Sequence, residues 1–135
     1  MRTILITLAV AMTATPALAA DPVKLQATLA GSVDTDADGK GAATVTIDPA
    51  KNEVCYTLAV SSIDPATMAH IHKGAAGVAG PVVVPLDAPT TGTAQGCKTA
   101  TPEVVAAILA SPGDYYVNVH NAAFPKGAIR GQLSK

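Results

Sequence analysis

The chain has 135 residues, a formal net charge of −1 and only 14% charged residues. With no basic run, this balance offers nothing that would attract nucleic acid or an anionic membrane surface. Aromatic side chains are too few to form stacking platforms for single-stranded nucleic acid or sugar rings, being limited to Tyr56, Tyr115, Tyr116 and Phe124. The core must therefore be built mainly from Val, Leu, Ile and Ala.

The first 19 residues have the layout of a secretory signal peptide. Arg2 precedes an apolar run from Ile4 to about Met12, and small residues of the A-x-A type follow up to Ala20. The run is far shorter than the ~20 residues of a membrane-spanning helix, and no second long apolar stretch follows. We therefore expect cleavage after Ala19 or Ala20 and one exported domain, residues 20–135, located in the periplasm or outside the cell.

The remaining chain alternates between short apolar-patterned segments and turn residues. Segments bounded by Gly, Pro, Asp and Asn recur at about ten-residue spacing, which predicts an all-β antiparallel sandwich or barrel. One stretch differs, because Thr101 and Pro102 open a run that Pro112 closes, and this predicts a short helix over about 101–111. The expected strands, about eight in number, are 23–32, 42–48, 53–61, 68–73, 82–87, 91–98, 114–121 and 128–133.

The connection between the first two predicted strands resembles the start of a calcium loop. Asp34, Asp36 and Asp38, followed by Gly39, match the opening D-x-D-x-D-G pattern. The twelfth position is Val45 instead of the bidentate glutamate, and the flanking segments are strands. Asp and Gly also supply ordinary turn geometry. The pattern therefore favours a polar hairpin connection over a calcium site.

Cys55 and Cys97 are the two cysteines. An even number in an exported protein predicts a disulfide, and the long spacing favours a structural bridge over a redox-active C-x-x-C pair.

The segment 68–72, M-A-H-I-H, carries two of the three histidines. Residues two apart in a strand point to the same side, so Met68, His70 and His72 are expected to share a face. Imidazoles of an H-x-H pair can bind one metal ion, and a nearby thioether is a soft ligand suited to copper. Met68 is therefore a candidate fourth ligand.

The third histidine, His120, shares a predicted strand face with Tyr116 and Asn118. If this strand neighbours the H-x-H strand, the three imidazoles form a copper or zinc site. A separation above ~8 Å between the rings of His72 and His120 would leave no room for a shared ion, given ligand bonds near 2 Å. The alternative is that each histidine is an ordinary structural group bonded to loop backbone.

No arrangement typical of covalent catalysis is present. The chain lacks G-x-S-x-G, a free thiol beside a histidine, and paired carboxylates near an apolar groove, so an enzyme is not the expected class. The glycine-rich segment 74–80 follows a strand without opening a helix and so lacks the context of a phosphate-binding loop. It is interpreted as a mobile loop beside His72.

Four ordered segments together resemble the chordin-type (CHRD) domain: 69–74, 77–84, 113–120 and 124–133. The resemblance implies an all-β extracellular binding module. The family's H-I-H and N-V-H elements correspond to His70, His72, Asn118 and His120. Its G-E-I-R-G-Q element corresponds to 127–132, with Ala128 in place of the acidic residue, so no charge partner for Arg130 is carried over.

Three hypotheses follow. The first is an exported CHRD-domain protein that binds copper or zinc through His70, His72 and His120. The second is a non-metal interaction module that contacts an extracellular or periplasmic protein. The third is a redox enzyme similar, by analogy of fold alone, to copper/zinc superoxide dismutases, although the bridging histidine and zinc ligands of that enzyme have no counterparts here.

Overall fold

The computed structural model describes residues 11–16 and 18–135. The predicted signal peptide, residues 1–19, lies mostly outside the described residues. Within the described part, no helix is both long and apolar enough to cross a membrane.

Eight strands and one α-helix account for the regular structure of the described chain. The helix, α1, spans Pro102–Ala110, and a 3-10 turn follows at Pro112–Asp114. The predictions of an all-β fold, eight strands and a short helix are confirmed, with boundaries that differ by one or two residues. The strands are β1 Val23–Ala30, β2 Lys40–Asp48, β3 Glu53–Ser61, β4 Ala66–Lys73, β5 Val82–Leu86, β6 Thr93–Thr99, β7 Tyr115–Asn121 and β8 Ile129–Gln132.

All the strands belong to one antiparallel sheet with the order β5-β4-β7-β8-β1-β2-β3-β6. The sheet curls into a nearly closed barrel, which brings its two edge strands, β5 and β6, towards each other. Strand alternation then divides the side chains into an interior set and an outward set. In β3, for example, Val54, Tyr56 and Leu58 are buried inside, as the alternation predicts.

The barrel interior is filled by aliphatic side chains from nearly every strand, as the shortage of aromatic residues requires. Leu25, Val45, Ile71 and Val117 are fully buried in this core. Helix α1 contributes Val105 and Ile108 to the same core. Its first turn is capped by Thr101, whose side-chain oxygen accepts a hydrogen bond from the Val104 N–H.

The acidic segment between β1 and β2 is a hairpin connection, as predicted. The two strands pair in register from Val23 opposite Ile47 to Ala30 opposite Lys40, and residues 31–39 form the loop. The three aspartates of this loop are not among the described groups whose ligand atoms converge on a common point.

The predicted disulfide joins Cys55 in β3 to Cys97 in β6, residues that lie directly opposite each other in the ladder. Strand β6 buries no side chain fully, because its residues alternate between exposed and half-buried. An edge strand with so little core contact depends on its hydrogen bonds to β3 and on this covalent link. The disulfide therefore attaches β6 to the barrel.

Replacing both cysteines, Cys55→Ala/Cys97→Ala, should lower the free energy of unfolding by about 2–4 kcal/mol, the range for disulfides that close loops of this length. Denaturant unfolding measures the loss, and amide hydrogen exchange should accelerate most in β6. A thiol reductant is the control: it should destabilise the wild type and leave the variant unchanged. Equal stability of variant and wild type would contradict this role.

A polar cluster bridges the two edge strands where the barrel nearly closes. The Tyr56 hydroxyl donates to Asp87 Oδ2 at 2.8 Å and accepts from the Asp87 backbone N–H at 2.9 Å. Lys98 Nζ of β6 donates to Asp87 Oδ1 at 2.7 Å. This hydrogen bond from Lys98, together with the one from Tyr56, lowers the pKa of Asp87. The cluster thus connects the end of β5 with β3 and β6.

Tyr56→Phe should destabilise the protein by about 1–2 kcal/mol, because it leaves the Asp87 N–H without its partner. Tyr115→Phe is the matched control, since Tyr115 is similarly buried but does not bind Asp87. Thermal unfolding of both variants measures the difference. If Tyr115→Phe lowered the stability as much as Tyr56→Phe does, the hydrogen bonds between Tyr56 and Asp87 would make no specific contribution.

Candidate metal centre

The pairing of β4 with β7 brings the three histidines together. Met68 lies opposite His120, His70 opposite Asn118, and His72 opposite Tyr116. The residues between them, such as Ile71 and Val117, point into the core, so all these polar side chains emerge on the outer face of the barrel. The two histidine-bearing strands are therefore neighbours, which is the condition that the sequence analysis set for a three-histidine site.

The three imidazole rings form a compact triangle. Ring centroids are 5.0 Å apart for His70 and His120, 5.5 Å for His70 and His72, and 6.0 Å for His72 and His120. One ring nitrogen from each histidine lies within 4.8 Å of those of the other two. Two nitrogens bound to one zinc ion at about 2.05 Å are about 3.3–3.6 Å apart. The 3.1 Å between His70 Nδ1 and His120 Nε2 is already close to that spacing.

Two loops cover this outer face and bury it. The first is the glycine-rich loop, residues 74–81, and the second is the β7–β8 loop, residues 122–128. Gly80 packs so closely that a Cβ atom would collide with the Lys73 carbonyl, and a Cβ on Gly127, which has φ +130°, would collide with the Asn118 side chain. Glycine at these two positions lets the loops approach the strands. As a result every residue of β7 is buried, including the outward-facing ones.

The loops also set which nitrogen of two histidines carries the proton. The Nδ1 of His72 lies 2.9 Å from the Gly80 carbonyl oxygen, and the Nδ1 of His120 lies 3.0 Å from the Pro125 carbonyl oxygen. A carbonyl oxygen only accepts hydrogen bonds, so both Nδ1 atoms must be protonated. In the neutral form of each ring, the Nε2 atom then carries the lone pair. Backbone carbonyls orient metal-binding histidines in this way in many proteins.

The Nε2 of His72 is buried and has no hydrogen-bond partner among the described residues. Leaving a buried acceptor unsatisfied costs about 1–3 kcal/mol. The His72 ring is only 8% exposed, so bulk water does not readily compensate. This unpartnered nitrogen belongs to the histidine that converges with His70 and His120.

His70 completes the triangle in a different protonation state. Because the His120 Nε2 is an acceptor, the His70 Nδ1 must donate the hydrogen bond between them. A cation at the centre would require this proton to leave Nδ1, so that His70 becomes protonated on Nε2. The Nε2 atoms of His72 and His120 could thus bind a metal ion without a change of tautomer, whereas His70 would first have to change its tautomer.

Burial keeps two of the imidazoles neutral. Desolvation is the largest cause that lowers the pKa of His70 below 6.5, and the positive charges that His120 and His72 would carry lower it further. Desolvation also lowers the pKa of His120, although its hydrogen bond to Pro125 acts in the opposite direction. Neutral imidazoles are the form that binds metal ions.

A stack of three planar groups borders the triangle. The His72 and Tyr116 rings lie nearly parallel, 8° apart with centroids at 4.9 Å. The Arg130 guanidinium carbon lies 3.3 Å from the centroid of the Tyr116 ring. Arg130 also donates to the Ala75 and Val78 carbonyls. The stack therefore fixes His72 and anchors the glycine-rich loop, which the sequence had suggested to be mobile.

The other predicted site residues have defined places. Asn118 lies between His70 and the β8 strand and donates from Nδ2 to the Lys126 carbonyl. Met68 is on the same outer face, opposite His120, but is 47% exposed. The only other described group with converging ligand atoms is Glu53 with Cys55 and Cys97, whose sulfurs are bonded to each other and so are not thiolates.

Sequence reasoning missed the carbonyls of Gly80 and Pro125, which orient the two histidines. A backbone carbonyl has no signature in the residue type. The close glycine at position 80 was the only available signal, since glycine marks points where one backbone approaches another closely.

A small all-β domain that covers a polar cluster with loops has the architecture of a binding module. The chain belongs to the CHRD-domain family, whose model matches residues 25–133, nearly the whole chain. This confirms the resemblance seen in the sequence. No curated protein and no solved structure matches the chain significantly.

The lowered histidine pKa values predict a pH dependence of stability for the metal-free protein. The unfolded chain binds protons near pH 6.5, whereas folded His70 and His120 resist protonation. The unfolded state therefore binds more protons than the folded state in this pH range. The contribution of the two imidazoles to the free energy of unfolding is fully present above pH 6.5 and is lost as the pH falls from there through the folded pKa values. The denaturant concentration at the unfolding midpoint, measured in the presence of a chelator, should decrease when the pH is lowered from about 7.5 to about 5.5.

The double variant His70→Gln/His120→Gln provides the comparison, since glutamine is polar but does not titrate. Its midpoint should change less over the same pH interval, a window above the range in which most carboxylates titrate. Parallel curves for the variant and the wild type would show that these two imidazoles do not cause the dependence.

Proposed function

We propose that this protein is an exported CHRD-domain binding protein that holds a copper or zinc ion through His70, His72 and His120. The observation that carries the proposal is the convergence of the three imidazoles around the unpartnered, buried Nε2 of His72. An ion there would accept this lone pair and that of the His120 Nε2. The donor set of neutral imidazoles suits both copper and zinc.

Two features support a location in the periplasm or outside the cell. The first 19 residues read as a signal peptide, and the Cys55–Cys97 disulfide is the kind of bond that persists in oxidising compartments. The protein would therefore act in the periplasm or outside the cell, where it would meet metal ions without a reducing thiol pool.

Met68 supports copper over zinc as the preferred ion. Met68 lies directly opposite His120 in the β4–β7 ladder, on the outer face that carries the triangle. Thioether sulfur is a soft ligand that binds Cu(I) and contributes little to zinc sites. A three-histidine set with a nearby methionine would therefore retain copper in both oxidation states.

The proposal is tested by titrating the purified protein with Cu²⁺ and Zn²⁺ in competition with a chelator of known affinity. We expect one ion per chain. The variant His70→Ala/His72→Ala/His120→Ala contains no histidine and should lose at least 100-fold in affinity. For Cu²⁺, electron paramagnetic resonance should show coupling to several imidazole nitrogens.

A second variant separates ligation from folding. In His72→Asn the side-chain amide nitrogen takes the position of the imidazole Nδ1 and can still donate to the Gly80 carbonyl, but the imidazole Nε2 is absent. This variant should keep the wild-type free energy of unfolding within about 1 kcal/mol and bind metal at least tenfold more weakly. Metal binding that is micromolar or weaker and unchanged in the histidine-free variant would end the proposal.

The second candidate function is a non-metal interaction module, favoured by the hydrogen bonds that tie His72 and His120 to the two covering loops. In that case the histidines shape a loop surface for a protein partner. Their replacement would then lower stability and partner capture, and wild-type protein would show no specific metal uptake in the same titration.

A further inference from the structure

A second concave site lies on the outer face next to the histidine triangle. It is a cleft of about 290 Å³ over β7 and β8, bounded by the β1–β2 loop, the glycine-rich loop and the β7–β8 loop. Tyr116 and Asn118 of β7 line the cleft, whereas none of the three histidines does. A cleft of this size can hold a small organic molecule.

The charges around this cleft are positive. Arg130 and Lys126 line it, and no acidic residue does. The β1–β2 loop carries three aspartates, yet its residues at the cleft are Ser32 and Thr35. Within residues 18–135, the ion pairs are Lys51 with Asp48 and Lys98 with Asp87, so Arg130 has no carboxylate partner.

Neutral groups hold the Arg130 side chain in place. It donates to the carbonyls of Ala75 and Val78 and to the Gln132 side-chain oxygen, and it stacks on the Tyr116 ring. These contacts use three of the five N–H donors of a guanidinium. The positive charge is thus fixed in position, half-buried and uncompensated. A ligand anion would supply the missing negative charge.

Part of the cleft wall is apolar. Ala30, Ala79, Ala128 and Ile129 contribute to the lining. Two valines on the bordering loops are exposed, Val33 at 93% and Val78 at 54%. The cleft therefore combines the fixed cation of Arg130 with a partly apolar wall.

We propose that this cleft binds a small carboxylate with a short alkyl chain, with the carboxylate facing Arg130 and the alkyl chain lying against the alanine walls. The guanidinium retains one free N–H donor on Nη1 and one on Nε. A carboxylate oxygen is a strong, charge-assisted acceptor for such a donor. The site is distinct from the histidine triangle and requires no metal ion.

The test uses the full-length protein in a chelating buffer, so that the result does not depend on metal binding. Amide and Arg Nε resonances are followed by ¹⁵N–¹H NMR during titration with acetate, butyrate and inorganic phosphate at constant ionic strength. We expect saturable shifts at Gly77, Ala79 and Arg130. Butyrate should bind about threefold to tenfold more tightly than acetate, because its two additional methylene groups are buried.

Two variants locate the site. Arg130→Gln removes the charge and should weaken butyrate binding at least tenfold. Ala79→Leu should do the same by filling the cleft from an exposed loop position, without altering Arg130. Lys51→Gln is the matched control, because it removes a positive charge that lies outside the cleft, and it should leave binding unchanged.

Three results would overturn the proposal. One is the absence of saturable shifts with butyrate, and another is equal binding by wild type, Arg130→Gln and Ala79→Leu. The third is phosphate binding as tight as butyrate binding, which would indicate a general anion site without use of the apolar walls. Failure of the metal titration would leave the carboxylate result untouched, and the two proposals are therefore distinguishable.

Discussion

The antiparallel pairing of β4 with β7 is the constraint on which the candidate site depends. This register places His70 and His72 on one strand beside His120 on the next, all on the outer face. A slip of one residue in either strand would turn its histidines into the barrel core. The register is held by the interior residues of the same strands, among them Ile71 and Val117, which are fully buried. Core packing thus positions the polar cluster indirectly.

The covering loops convert this cluster from a solvated surface into a partly buried site. Carbonyls from both loops fix the proton positions on His72 and His120, and burial lowers the pKa of His120 and so disfavours its charged form. The same enclosure leaves the Nε2 of His72 without a partner. A buried acceptor without a hydrogen-bond partner raises the free energy of the folded state, and a ligand bound to this Nε2 atom would remove that cost.

Tyr116 connects the two concave regions of the outer face. One side of its ring lies against His72, the other lies under Arg130, and its hydroxyl accepts from the Gly80 N–H. Arg130 in turn holds the glycine-rich loop through backbone carbonyls. His72, Tyr116 and Arg130, which all lie in segments that carry the family resemblance, therefore pack against one another and contact the glycine-rich loop.

Local patterns in the sequence determined the all-β class, the short helix, the hairpin at the aspartates and the sharing of a face by His70 and His72, because alternation and turn chemistry act between near neighbours. The disulfide followed from the number of cysteines and the predicted export. Only the tertiary structure decided that β7 lies beside β4, which brings His120 within reach. It also decided that Gly80 and Pro125 supply the orienting carbonyls and that Arg130 stacks on Tyr116. These contacts join residues far apart in the chain or involve backbone atoms, and neither leaves a signature in residue spacing.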